Sequence, residues 1–182
     1  MKLISKEHNQ KTDNKSNLDL LAHGGAHGKY VYFIGIGGAG MSAIAKILIK
    51  EGYIVSGSDM ESSPVTYELG ELGVRINTKQ DGECLDPDTN LVITSAAINE
   101  NNPDLRKARS LGLKVVKYSE FLGVLMRTKY GIAISGTHGK TTTTAMISTI
   151  LQKTGHEPTF VIGGNVSGIG GDSRLGRGSH FV

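Results

Sequence analysis

Lys140 and Thr141 end the run Gly136-Thr137-His138-Gly139-Lys140-Thr141, where residue types and spacing suit phosphate chemistry. In a small, glycine-bearing turn the backbone N–H groups point at phosphate oxygens. The lysine then reaches the β and γ phosphates of a nucleoside triphosphate, and the hydroxyl ligates Mg²⁺. The apolar stretch Ile132 to Ser135 reads as a strand running into this turn. A helix is expected to follow, its N-terminus adding partial positive charge at the same place. The usual phosphate-loop spacing, G-x-x-x-x-G-K-[ST], wants glycine at position 134, where this chain has Ile134, so the core is a shorter G-x-x-G-K-T. Thr141 to Thr144 is poor helix material, because β-branched side chains lose rotamer freedom there. Its first hydroxyl, on Thr141, is the candidate metal ligand, and a neighbour the candidate phosphate contact.

A second glycine turn lies about one hundred residues earlier, in the stretch YFIGIGGAGMSAIAKIL at 32–48. Gly35, Gly37 and Gly40 fit G-x-G-x-x-G, and Asp59 follows Gly40 by 19 residues, a separation that suits a carboxylate on a ribose hydroxyl. On these residues alone three readings stay open: NAD, another phosphate ligand, or close helix–strand packing with no ligand.

The elements that must hold the two turns alternate along the chain. YVYFIGI reads as a strand buried on both faces. A helix over 41–51 then places Ile44, Ile47 and Leu48 on one face and stops at Gly52. YIVSGS is a second strand. SSPVTYELGELG opens with a serine cap and Pro64 at the first helical position. VRIN and NLVITSA are further strands, and Asn102-Pro103 starts a helix ending near Gly112. KVVKYS is a strand and EFLGVLMRT a short helix. Such alternation implies a parallel sheet with helices on its faces, and right-handed crossovers make it doubly wound. Two phosphate-type turns in one sheet would be unusual, so a boundary is expected at about Arg127–Lys129. Residues 1–28 read as a polar tail, 29–127 as the first domain and 128–182 as the beginning of a second. His23 and His27 in the tail are four apart, but two glycines between them argue against a helix that would pair them on a metal.

Composition excludes several classes. Of 182 residues, 38% are hydrophobic and 20% charged, the net charge is +3, and the 25 glycines gather at strand–helix junctions instead of repeats. Lys and Arg are scattered, with no basic stripe interleaved with aromatics, so no nucleic-acid partner is expected. No apolar run approaches the ~20 residues that span a bilayer, and the first residues lack the apolar centre of a signal peptide. The single cysteine, Cys84, rules out an internal disulfide framework and favours a reducing compartment. These features read as a cytoplasmic protein without a membrane partner.

GIGGAGMS at 35–42 followed by SGTHGKTTT at 135–143 resembles the Mur ligase family of peptidoglycan synthesis. VSGSD at 55–59, TSAAI at 94–98 and FVIGGNVSGIGGDSRLGRG at 160–178 agree, so the resemblance runs from about Lys29 to the last residue. His138 is similar to members acting on UDP-N-acetylmuramate and L-alanine, since sister ligases that add later residues usually carry Asn or Ser there. A murein-peptide recycling branch shares the histidine but usually departs from G-G-x-G-M. The fold implied is α/β: a Rossmann-like doubly wound parallel sheet followed by the truncated start of a P-loop ATPase domain.

The resemblance implies bacterial, ATP-dependent amide formation. The muramoyl carboxylate attacks the γ-phosphate to give an acyl phosphate, and the amine of L-alanine displaces phosphate. By this likeness Gly35, Gly37, Gly38, Ala39, Gly40, Met41 and Ser42 surround the UDP diphosphate, with Asp59 beside the uridine. Ser95, Ala96, Ala97 and Ile98 line the same crevice. Gly136, Thr137, His138, Gly139, Lys140, Thr141 and Thr142 hold ATP, with Lys140 and Thr141 the catalytic candidates and Thr141 on Mg²⁺. Asp172-Ser173 departs from the family's usual Asn-Ala, and Tyr32 stands where His is common. The chain ends at GSHFV, ahead of the family's acidic Mg²⁺-binding segment. The expectation is therefore a fragment that binds UDP-sugar, does not ligate alone, and is poorly ordered after about residue 155 because a half-built sheet leaves open edges. The rival readings are a NAD-binding oxidoreductase or sensor and a non-catalytic nucleotide switch.

Overall fold

The computed structural model describes residues 28–163, 166, 169 and 171–182. The tail, with His23 and His27, lies outside the described residues, as does most of 164–170.

Five parallel strands form one sheet: β1 (Tyr30–Ile34), β2 (Ile54–Ser58), β3 (Arg75–Asn77), β4 (Leu91–Thr94) and β5 (Val115–Lys117). Their order is β3-β2-β1-β4-β5, so the strand order reverses between β1 and β4. Alternate side chains of the central strands enter different cores. Val31, Phe33 and Ile93 pack with Ile44 and Leu48 of α1 (Ala39–Lys50), Leu69 of α2 (Pro64–Glu71) and Phe121 of α4 (Tyr118–Arg127). Tyr32, Ile34 and Val92 pack with Leu105 and Ala108 of α3 (Pro103–Ser110) on the other side. Helices thus cover both faces, which is why these strands are apolar without interruption.

Local chemistry sets the helix starts. The Ser63 hydroxyl accepts from Thr66 N–H while Thr66 Oγ1 accepts from Ser63 N–H, a reciprocal cap with Pro64 next to it. Asn102 Oδ1 accepts from Leu105 N–H ahead of Pro103. The strand expected over KVVKYS stops at Lys117 instead. Tyr118 and Ser119 belong to α4, because Glu120 reaches back to accept from Lys117 N–H and opens the helix there.

From Tyr130 onward the elements are short. β6 (Tyr130–Gly131) pairs in parallel with β9 (His180–Phe181), and β7 (Phe160–Val161) pairs antiparallel with β8 (Ser173–Arg174). α5 (Lys140–Lys153) packs Ala145 against a small core of Phe160, Ile162, Ile169 and Val182. The strand expected over Ile132 to Ser135 does not form. Ile132 N–H still donates to Phe181 O at 2.7 Å, but residues 133–135 meet no neighbouring strand among the described residues. A strand exists only through its ladder. The described residues after 155 include the three short strands β7, β8 and β9, and β6–β9 pairing covers one edge.

α1 packs against β7 and β8, so the later residues dock directly on the helix that follows the first glycine turn. Lys46 of α1 bonds Glu68 at 2.9 Å and Asp172 at 3.3 Å. Lys129 donates to Gly176 O at 2.6 Å and Gly178 O at 2.8 Å, and burial pulls its ammonium below the ordinary lysine range.

Candidate functional site: two glycine turns at helix N-termini

The first turn joins β1 to α1 and is tied to the end of β2. Gly35 and Ile36 N–H both donate to Ser58 O, at 2.8 and 3.0 Å. Gly37 N–H donates to Asp59 Oδ2 at 2.7 Å, while Asp59 Oδ1 accepts from Glu61 N–H at 3.1 Å. Asp59 therefore braces the turn from within, a role that spacing from Gly40 does not reveal. On the other flank, Ser95 N–H donates to Ile34 O, and a Cβ on Gly35 would lie 3.2 Å from Ser95 Cβ. Ala97 N–H donates to Ser95 Oγ, and Ala96 and Ala97 are exposed. Beside them a groove of ≈ 300 Å³ opens at the ends of β4 and β5, lined by Thr94, Ser95, Ala96, Ile98 and Arg109 among others.

Gly35 to Gly40, Asp59 and Ser95 to Ile98 thus meet at the carboxyl end of the sheet, where its strand order reverses. Open α/β sheets bind ligands at this place. The N–H groups of Ala39, Gly40 and Met41 have no acceptor among the described residues, so α1 presents free donors and the positive end of its dipole. Two positions differ from the expectation. The Met41 side chain is buried, so only its backbone faces the crevice. Ser42 is fully buried, its N–H donates to Gly38 O and its hydroxyl to Ala39 O, so helix formation uses both of its donors.

The second turn precedes α5. Gly139 adopts φ 77°, a left-handed conformation that glycine enters without penalty, and Thr143 N–H closes the first helical turn on Gly139 O. Lys140 Nζ folds back to Gly136 O at 2.6 Å and Thr137 O at 3.3 Å, capping the loop with its own cation. Residues 135–143 are exposed. Thr144 returns its hydroxyl to Lys140 O, whereas the Thr141, Thr142 and Thr143 hydroxyls have no partner among the described residues. An exposed hydroxyl at a helix N-terminus beside a lysine fits a Mg²⁺–triphosphate donor set. Among the described residues no cluster of three His, Cys, Asp or Glu could hold a metal, and no helix is long and apolar enough to cross a membrane.

Sequence reasoning missed a buried polar centre under the first turn. Asp104, fully buried, accepts from Tyr32 Oη at 3.1 Å, from Ser58 Oγ, and from Gly82 N–H at 2.7 Å. Its place in the first turn of α3 sets its acceptor oxygens at the positive end of the helix dipole. Burial pushes the Tyr32 phenol well above its ordinary range, so it remains a donor. The unusual Tyr32 is thereby explained as a strut to Asp104, which also holds the β2 end carrying the turn.

A doubly wound sheet with one glycine turn at its switch point and a second glycine turn before a later helix is an architecture suited to phosphate-bearing ligands, and the family comparison supplies the class. Residues 30–130 match the Mur ligase family, catalytic domain, and the chain belongs to that family. One curated relative, the UDP-N-acetylmuramate–L-alanine ligase of Sulfurihydrogenibium sp., is 46% identical over 152 residues, covering 84% of this chain and 33% of its own length. The chain therefore spans about a third of the length of the curated relatives it matches. The solved UDP-N-acetylmuramate-alanine ligase of Thermotoga maritima superposes with TM-score 0.78 at 33% identity, over 84% of this chain and 36% of that one. A UDP-N-acetylmuramate:L-alanyl-gamma-D-glutamyl-meso-diaminopimelate ligase from Neisseria meningitides gives the same TM-score at 28% identity, over 85% and 51%. The backbone alone does not separate these two ligases; sequence identity favours the first.

Proposed function

We propose that this chain is the UDP-sugar-gripping and ATP-loop portion of a bacterial ligase that joins L-alanine to UDP-N-acetylmuramate in the cytoplasm. The observation that carries the reading is the pairing of two helix N-termini, at Ala39 and Lys140, within a chain 46% identical to such a ligase. Residues 29–127 form the UDP-sugar domain and 128–182 the start of the ATP domain. Gly35 to Met41 offer backbone donors to the diphosphate, Asp59 shapes that turn, and Ser95 to Ile98 wall the crevice. His138 sits in the ATP turn without an assigned chemical role.

Gly136 to Thr142 hold ATP. Lys140 would exchange its loop carbonyls for the β and γ phosphates, and the Thr141 hydroxyl would hold Mg²⁺, which when bound would neutralise phosphate charge. Such neutralisation is the main requirement when a carboxylate attacks a γ-phosphate to form an acyl phosphate that an amine then displaces. Binding belongs to this chain, and the amide-forming step to the whole ligase.

Calorimetric titration tests the reading. UDP-N-acetylmuramate and ATP should bind independently, Lys140→Ala should remove ATP binding and spare the UDP-sugar, and NADH should give no heat. An NADH response exceeding that of UDP-N-acetylmuramate would overturn the assignment.

A further inference from the structure

Tyr118 is the first residue of α4, and its ring crosses to the start of α1. A Cβ on Gly40 would lie 2.4 Å from Tyr118 Oη and 2.6 Å from the carbon bearing it, so the phenol fills the space that any other residue at 40 would need. In an α-helix the Cα–Cβ bond tilts toward the N-terminus. An atom at the Gly40 Cβ position therefore sits on the N-terminal rim of α1, flanking the free N–H groups of Ala39, Gly40 and Met41. The Tyr118 hydroxyl has no hydrogen-bond partner among the described residues, although the residue is half-buried and its ring packs on the core. A phenol placed there only for packing gains nothing from its oxygen, and the hydroxyl is not among the buried unpartnered polar atoms, so it keeps the access to solvent that a ligand contact at this rim requires.

We propose that Tyr118 is a contact residue for the diphosphate, its hydroxyl donating to a diphosphate oxygen held at the N-terminus of α1. This rests on the UDP-sugar reading given above. The third glycine of the turn then has a double purpose: it leaves the helix N–H groups open and makes room for this side-on donor. Burial raises the Tyr118 phenol above its ordinary range, so it stays protonated and serves as a donor throughout the physiological range.

The test compares the unaltered chain with Tyr118→Phe, which keeps the ring packing and removes only the oxygen. UDP binding is measured by calorimetry, uridine binding by NMR at millimolar ligand, and folding by the thermal midpoint. A neutral donor lost from a charged acceptor should weaken UDP about tenfold, with uridine affinity and the midpoint unchanged. Equal UDP affinity in the two proteins, or parallel loss of UDP and uridine, would overturn the role of Tyr118. No UDP binding by the unaltered chain would overturn the UDP-sugar reading and this inference with it.

Discussion

Lys46 and Asp172, 126 residues apart in sequence, form a salt bridge of 3.3 Å between α1 and the segment entering β8, with both side chains more than four-fifths buried. Glu68 shares the same ammonium at 2.9 Å. The family departure at 172 thus has a local partner: the added negative charge faces a lysine on the helix that follows the first glycine turn. Asp172→Asn should lower stability by about 1 kcal/mol, near the upper end for an ion pair that keeps some solvent contact. Denaturant unfolding at low and high salt checks this, and the difference from the unaltered chain should shrink as salt rises.

The same lysine sets a pH dependence. Burial opposes its charge, but Glu68 and Asp172 outweigh burial and raise its pKa above the ordinary lysine value. A base whose folded pKa is raised contributes stability that is complete below its unfolded pKa and is lost as pH climbs through the folded one. Lys46→Met should therefore be less stable than the unaltered chain at pH 8, and the gap should narrow above about pH 10.5, the ordinary lysine value. Unfolding curves at pH 8 and pH 11 measure it.

Asp104 gathers three donors in a fully buried site. Asp104→Ala leaves Tyr32, Ser58 and Gly82 unpaired and should cost about 3–5 kcal/mol. Tyr32→Phe removes one bond of the three and should cost about 1–2 kcal/mol. Chemical denaturation of the two variants should preserve that ranking. A Tyr32→Phe cost equal to that of Asp104→Ala would refute a shared carboxylate hub.

Ser148 on α5 is fully buried, and its hydroxyl is the one buried side-chain polar atom without a partner among the described residues. Ser148→Ala removes that group and improves helix propensity, so stability should rise by roughly 1 kcal/mol. A fall in the unfolding midpoint would show that the hydroxyl has a partner in solution.

Strand–helix alternation, the Ser63 and Asn102 caps and both glycine turns follow from local chemistry, since apolar runs, Pro64, Pro103 and glycine spacing act within a few residues. The parallel order and the helices on both faces follow from those elements with right-handed crossovers. Tertiary structure decided what local spacing does not encode. Asp59 braces Gly37 because β2 ends beside the turn, and Ser42 turns inward because α1 begins three residues earlier. Residues 133–135 stay unpaired because a strand needs a neighbour. Tyr118 reaches Gly40, Tyr32 and Ser58 reach Asp104, and Lys46 reaches Asp172 only because the sheet brings distant helices together. The two glycine turns are thus written in short runs of backbone and glycine, whereas the side chains that brace the first of them come from positions that only packing makes neighbours.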